Sequence, residues 1–160
     1  MSLEVKKPIL SFLDPFSPDR RPLVQLDPSA FLADPELIHA LEKRATPFLC
    51  DEDRILFRQG DLPTGLFIIH MGEATLSMNP GASENAFSCK TTAGSVLGVP
   101  GLIANQPYSL TAVACCGAQV SFIAREDFNA LMQSDQSLML LVLKVLAAEV
   151  RSARLALTQL

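Results

Sequence analysis

The sequence of 160 residues contains no tryptophan and one tyrosine, and aromatic residues make up only 6% of it. A surface of stacked aromatic rings for single-stranded nucleic acid is therefore not expected. Positive charge is also scarce, since 13 Lys and Arg are outnumbered by 17 Asp and Glu and the formal net charge is −4. Without a basic surface the chain is not expected to attract DNA or an anionic membrane.

A targeting or membrane-spanning segment is also missing from the sequence. No signal peptide is recognisable at the N-terminus. The longest strongly apolar stretch, residues 138–146, contains Lys144 and is too short to span a bilayer. We therefore predict a cytoplasmic protein.

Cysteine is present, but without the spacing of a metal site. None of the four cysteines belongs to a Cys-x-x-Cys pair, so a structural zinc site is not expected. The adjacent Cys115 and Cys116 are predicted to point to opposite faces of a strand, as packing residues in a reducing compartment do. The other two are Cys50 and Cys89.

Residues with catalytic potential are equally few. His39 and His70 are the two histidines, and neither is near a Ser or Cys nucleophile in sequence, so no catalytic triad can be proposed. The acidic run 51–53 lies in a polar turn and is interpreted as solvated. Haem would need an axial ligand such as His70 or Cys89, and a lone histidine at a strand end is typical of a surface turn. We predict no catalytic residue, no metal and no cofactor, and do not expect an enzyme.

Proline and glycine divide the chain into regions. Six of the eleven prolines lie within residues 1–35, where glycine is absent, and residues 1–27 are interpreted as an irregular Pro-rich arm lying on the domain. Residues 28–160 are predicted to form the domain. Asp27-Pro28 and Asp34-Pro35 each have the pattern of an N-cap followed by proline at the first helical position, so two short helices are expected before the middle region.

All eight glycines lie between residues 60 and 117, in a segment rich in Val, Ile, Thr and Phe. Alternating polarity with frequent turn residues predicts many short strands, as in a barrel, roll or sandwich at about 46–124. The turn at 70–73 is predicted to close a hairpin. The candidate strands are 46–50, 54–58, 65–71, 73–79, 85–91, 95–98, 108–115 and 118–124.

Two helices are predicted after the strands. Residues 125–132 form a short one, and Ser134-Asp135 caps a long helix over about 135–159. Its apolar residues lie close to the a and d positions of a heptad, and Glu149 interrupts this pattern. The heptad pattern predicts a homodimer through residues 136–158. The alternative is a helix packed on its own sheet. The seam residues are Leu138, Leu141, Val142, Val145, Leu146, Ser152 and Leu155.

This order of elements and two motifs resemble the cyclic-nucleotide-binding domain of the catabolite activator and anaerobic regulator family. The run 55–69 (ILFRQGDLPTGLFII) is similar to that family's β-roll hairpin. The run 94–103 (GSVLGVPGLI) lies where the family has its phosphate-binding cassette, and 108–114 where the next strand begins. The resemblance covers about residues 30–157. It implies a mainly β fold, a double-stranded β-helix or jelly-roll-like β-roll, flanked by short N-terminal helices and a long C-terminal helix.

The same resemblance implies a changed ligand site. The family's cassette holds the ligand phosphate with an Arg and backbone amides, and the ribose hydroxyl with a Glu. Here Val99 occupies the Glu position and Tyr108 the Arg position. Two charge-assisted contacts, each worth roughly 1.5–3 kcal/mol, are lost, which lowers affinity by about two to four decades. Binding of cAMP or cGMP in the family's manner is therefore not expected.

A modified site for a nucleotide-like molecule stays possible on these residues. Residues 98–101 can still turn the cassette backbone, although Pro100 lacks an amide proton. The Tyr108 hydroxyl can partly replace a cation, and by the family pattern Arg154 reaches the place where relatives contact the base. The alternatives are that Tyr108 is a core aromatic and Arg154 a solvated residue. The candidate ligand-binding residues are Gly98, Val99, Pro100, Gly101, Tyr108, Ser109, Thr111 and Arg154.

Two functions are therefore weighed from the sequence. The first is a signal-responsive regulatory domain with a degenerate or retuned ligand site, acting through its C-terminal helix. The second is a structural or protein-interaction module with a filled pocket. Relatives that regulate transcription continue into a helix-turn-helix domain, and none is found before Leu160, so DNA binding by this chain alone is not expected. An open polar cavity near Val99 and Tyr108 would favour the first function, and side chains filling that space the second.

Overall fold

The computed structural model describes residues 26–78 and 87–158. Of the predicted arm at 1–27, only Leu26 and Asp27 fall within these residues, so the remainder of that prediction lies outside them. Within the described part of the chain, no helix combines the length and the apolar character needed to cross a membrane.

Two short helical segments precede the strands, as predicted. A 3₁₀ turn covers Pro28–Phe31, and the Asp27 carboxylate accepts a hydrogen bond from the Ser29 amide at its start. Helix α1 covers Pro35–Glu42, and the Asp34 carboxylate accepts from the Glu36 amide. Both segments begin with proline. The N–H groups of the first turn have no acceptor within the helix, so a proline there costs no hydrogen bond.

Eight antiparallel strands form two four-stranded sheets that enclose a β-roll. One sheet has the order β1-β8-β3-β6 and the other β2-β7-β4-β5. The predicted jelly-roll-like fold is therefore confirmed. The strands are β1 Thr46–Leu49, β2 Arg54–Phe57, β3 Gly65–Met71, β4 Glu73–Met78, β5 Phe87–Thr92, β6 Val96–Leu97, β7 Thr111–Ala114 and β8 Gln119–Ala124.

Three helices complete the fold: α2 Val99–Ala104, α3 Arg125–Ser134 and α4 Ser137–Leu157. The Asp135 carboxylate accepts a hydrogen bond from the Ser137 amide at the start of α4. The residue that directly precedes α4 is Gln136, whose side chain makes no capping hydrogen bond, so the N-cap lies one residue after the predicted Ser134-Asp135. Ser134 instead ends α3, which is two residues longer than predicted.

The predicted hairpin at residues 70–73 is wrong. Strand β3 pairs with β6 and β8, whereas β4 pairs with β5 and β7, so the two strands lie in different sheets. Gly72, with φ of +82°, carries the chain around the corner between the sheets, where an added Cβ would come within 2.9 Å of the Ala118 Cα. The strands of the 55–69 motif, β2 and β3, are likewise in separate sheets.

The strand predicted over 108–115 is shorter than expected. Strand β7 begins at Thr111, and Cys115 and Cys116 lie after its end, in a turn. They therefore do not face opposite sides of a strand. The Cys116 amide donates to the Asp53 carboxylate at 2.8 Å, which fixes this turn against the turn before β2.

Strand β3 is buried on both faces and connects two apolar clusters. Phe67 and Ile69 belong to the cluster inside the roll. Leu66 and Ile68 belong to the cluster between the roll and the helices. Because neighbouring side chains in a strand point to opposite faces, this double burial explains the unbroken apolar run in its sequence.

The long helix α4 packs against its own domain through part of its predicted dimer seam. Leu138, Val142 and Val145 are at most 3% exposed and lie in the cluster between the roll and the helices. These three residues are therefore not available to a second copy, and their assignment to an intermolecular seam is wrong. The face of α4 that stays exposed carries Leu140, Leu143 and Val150.

Candidate functional site between the roll and the long helix

An open cavity of ≈ 240 Å³ lies between the roll and α4. We call it the roll–helix cavity. A smaller cavity of ≈ 30 Å³ adjoins it on the roll side and shares Phe31, Pro100, Ser109, Leu110 and Glu149. The lining comes from the 3₁₀ turn, the end of β4, α2, the segment before β7 and α4, and its apolar part includes Leu26, Phe31, Met78, Pro100, Leu110 and Val150.

The cassette region forms one wall through a tight turn and a short helix. Gly98, with φ of +97°, precedes α2 and adopts the left-handed conformation that glycine allows. A Cβ at Gly98 would lie 3.1 Å from the Tyr108 ring, and one at Gly101 would lie 3.3 Å from it. The two glycines therefore let α2 approach the Tyr108 ring closely.

Tyr108 is a core residue in this arrangement. It is 4% exposed, and its ring stacks on Phe57 with 4.0 Å between the centroids. Its hydroxyl donates to the Gly65 carbonyl at 2.8 Å and accepts from the Thr64 amide at 3.3 Å. The hydroxyl is thus engaged by the backbone, and Tyr108 is not among the residues that line the cavity.

The other predicted site residues are divided between cavity and core. Gly98, Pro100 and Ser109 line the roll–helix cavity or its smaller neighbour. Val99 is 2% exposed and packs in the cluster between the roll and the helices. That the predicted residues contact a ligand stays a prediction.

Two further predicted residues, Thr111 and Arg154, are not among the residues that line either cavity. The Thr111 hydroxyl accepts a hydrogen bond from the Gln59 amide at 2.9 Å. Arg154 is exposed and does not line the roll–helix cavity. Its neighbour Ala153 does, so the helix presents a methyl group there instead of a cation.

Glu149 is the functional candidate that sequence reasoning missed. It lines both cavities, and its Oε2 atom is buried without a hydrogen-bond partner among the described residues. Burial in apolar surroundings raises the pKa of this carboxyl to about 8, because water no longer stabilises its charge. The sequence feature that could have identified Glu149 is its interruption of the heptad pattern. That interruption does not indicate that the side chain faces the roll.

Both ring nitrogens of His70 contact side chains of neighbouring elements. Its Nδ1 lies 3.1 Å from the Glu42 carboxylate and its Nε2 lies 2.6 Å from the Ser121 hydroxyl. Ser121 is itself only 3% exposed. The imidazole therefore links α1 to strands β3 and β8, instead of lying in the surface turn that the sequence suggested.

Comparison with known proteins agrees with this architecture. The family model described as "Cyclic nucleotide-binding domain" matches residues 50–135. The catabolite activator protein of Thermus thermophilus is similar in fold, with a TM-score of 0.68 and 23% identity over 82% of this chain and 62% of that chain. This chain thus spans less than two thirds of that protein.

Two further solved structures share the fold. A cyclic nucleotide-binding-like protein from Brucella abortus is 28% identical, with a TM-score of 0.52 over 62% of this chain and 85% of that chain. The sensor domain of the transcriptional regulator DNR from Pseudomonas aeruginosa is 17% identical, with a TM-score of 0.58 over 71% of this chain and 77% of that chain. The family match, the eight-stranded roll and the terminal helix lead to one conclusion: the chain belongs to the cyclic nucleotide-binding domain family.

Proposed function

We propose that this domain is a regulatory module whose ligand site no longer selects cyclic nucleotides and which signals through α4. The observation that carries the proposal is the charge of the roll–helix cavity. Among its described lining residues, Glu149 is the one ionisable side chain and there is no Lys or Arg. A ligand phosphate would therefore meet a carboxyl group where a phosphate site needs a cation.

The packing of the cassette supports the same proposal. Tyr108 and Val99, at the positions of the family's Arg and Glu, are buried in the two apolar clusters. Neither side chain could turn toward a ligand without leaving an unfilled space in the core. The free-energy cost of this reorganisation would then add to the binding free energy lost with the two charge-assisted contacts.

Signalling through α4 follows from the position of the cavity. Glu149, Val150 and Ala153 of α4 form one side of it, and the cassette forms another. Near its C-terminal end α4 is tied to the domain by the Ser152 hydroxyl, which accepts a hydrogen bond from the Asp27 amide at 2.9 Å. A molecule that binds between the cassette and α4 would favour one helix position over another, which is a two-state population shift.

We further propose that the domain is a homodimer through the exposed face of α4. Leu140, Leu143, Ala147 and Val150 are exposed and follow the spacing of three and four residues that a helix pair uses. This face replaces the part of the predicted seam that packs within the domain, Leu138, Val142 and Val145, whereas Leu155 of the predicted seam is exposed.

A cytoplasmic setting is part of the proposal. All four cysteines fall within the described residues and are free thiols. Disulfides are rare in a reducing compartment, so unpaired thiols support that location.

The second candidate function is an interaction module that binds no small molecule. The filled space around Val99 and Tyr108 favours it, because both side chains are buried in apolar clusters. The roll–helix cavity favours the first function, since it leaves room for a ligand beside Glu149.

Thermal unfolding in the presence of 1 mM cAMP or cGMP tests the rejection of cyclic nucleotides. We expect no change in Tm, with a cAMP-binding member of the family as the positive control. A site with a Kd of about 10 μM would add about 2.7 kcal/mol, and Tm would then rise by roughly 5–10 °C. A rise of that size would contradict the proposal. Sedimentation of the chain tests the dimer.

A further inference from the structure

We propose that the roll–helix cavity binds a small organic amine, whose cationic nitrogen pairs with Glu149 and whose apolar body lies against the roll. The inference rests on the proposed function, because it names the ligand class of the retuned site.

The geometry supplies an acceptor without a partner. Glu149 Oε2 is buried, lines the cavity and has no hydrogen-bond partner within residues 26–78 and 87–158. Buried polar atoms in native proteins almost always have a partner, so an orphaned one beside a cavity calls for an occupant that supplies it. An ammonium group supplies up to three N–H donors and a positive charge.

The charge of the surroundings selects a cation over other ligands. No other titratable side chain lies among the described residues that line the cavity from the 3₁₀ turn, β4, α2, the segment before β7 or α4. Once Glu149 is ionised, a cation would gain its attraction in a site of low polarity. The ionised carboxylate would repel an anion, and a neutral molecule would gain one hydrogen bond at most from the same oxygen.

The rest of the cavity determines the body of the ligand. Phe31, Met78, Leu110 and Val150 give apolar walls, and Ser109 adds one hydroxyl. A volume of ≈ 240 Å³ is below the range of about 300–1,000 Å³ typical of drug-sized ligands. The site therefore fits an amine with a short hydrocarbon or single-ring body.

Titration calorimetry on the full chain tests the assignment with three amines of increasing length: benzylamine, phenethylamine and 4-phenylbutylamine. Benzyl alcohol and benzoate are the neutral and anionic comparisons. We expect at least one amine to bind, and the alcohol to bind about ten- to hundredfold more weakly than benzylamine or not at all. Benzoate should not bind.

Two variants locate the binding site. Glu149→Gln keeps the shape of the side chain and should weaken the best amine by about ten- to hundredfold. Glu126→Gln removes the same charge from an exposed position on α3 and should leave the affinity unchanged. Affinity of the wild-type chain should also rise between pH 6 and pH 8, because the carboxyl of Glu149 must lose its proton to pair with the amine.

Each outcome decides between the proposals. If none of the three amines binds, or if Glu149→Gln binds them as well as the wild-type chain, the amine assignment is overturned. Equal binding of alcohol and amine would overturn it too. A titration with cAMP in the same series distinguishes failure of the proposed function from failure of the amine assignment. Binding of cAMP overturns the proposed function, whereas no binding of either cAMP or amine overturns the amine assignment and leaves the proposed function standing.

Discussion

The ring of Tyr108 stacks on the ring of Phe57, with centroids 4.0 Å apart and planes inclined by 21°. Tyr108, which the sequence resemblance aligns with the family's phosphate-binding Arg, is therefore part of the roll's interior. Its hydroxyl bonds to the Gly65 carbonyl and the Thr64 amide, at the start of β3. Tyr108 is thus a packing residue that connects the segment before β7 to β2 and to the start of β3.

We predict that Tyr108→Phe lowers the free energy of unfolding by about 1–2 kcal/mol. The change keeps the stacked ring but leaves the buried Gly65 carbonyl and the Thr64 amide without the hydroxyl. Urea unfolding followed by circular dichroism measures the difference. A variant as stable as the wild type would show that the two backbone groups find other partners.

We predict that Gly65→Ala is severely destabilising, by more than about 3 kcal/mol. A Cβ at this position would overlap the Ile123 carbonyl oxygen, so β3 and β8 would have to move apart. Gly117→Ala is the matched control: its φ is +89°, and nothing lies within 4 Å of the added Cβ. The control should cost about 1–2 kcal/mol, from backbone strain alone. Thermal melts of the two variants should differ clearly, and similar melts would contradict the close approach at Gly65.

Substitutions on opposite faces of α4 should have opposite consequences. Leu140 is 65% exposed and Val142 is 1% exposed. Leu140→Asp should convert a dimer to a monomer in sedimentation with an unchanged circular dichroism spectrum, because two carboxylates would face each other in the helix pair. Val142→Asp should lose more than about 3 kcal/mol of stability, since it buries a carboxylate in the domain's own core. A Leu140→Asp variant that stays dimeric would exclude the exposed face as the seam.

The contribution of Glu149 to the stability of the wild-type chain should fall as pH rises from about 5 to 8. The pKa of Glu149 is about 8 in the folded chain and near 4.5 when unfolded. Across this interval the folded state binds more protons than the unfolded state, and stability therefore decreases with pH. We expect a loss of about 2–4 kcal/mol from this group. Tm measured at each pH should show a shallower decline for Glu149→Gln, and parallel profiles for the two chains would contradict the burial of the charge.

The order and limits of the elements could be predicted from local sequence. Asp27-Pro28 and Asp34-Pro35 start their helical segments where expected, because capping depends on residues within one turn. Where the structure describes both ends of a predicted strand, its limits mostly differ by one or two residues, since Gly and Asp at the corners end strands locally. The predicted end at 79 and the predicted start at 85 lie outside the described residues. The exception is β7, which begins three residues late because the backbone of Tyr108 is hydrogen-bonded to the turn at Gly60 and Asp61.

What the sequence determined by itself was the family and the roll with its flanking helices. The resemblance also aligned Val99 and Tyr108 with the Glu and Arg of the family's cassette. The tertiary structure decided which strands pair, which face of α4 is buried and where Glu149 lies. An apolar alternation has the same appearance whether a strand pairs with its neighbour in sequence or with a distant strand. A heptad pattern likewise has the same appearance whether the helix packs against its own roll or against the helix of a second copy. Those choices depend on contacts between residues far apart in the chain, and they place Glu149 beside the cavity.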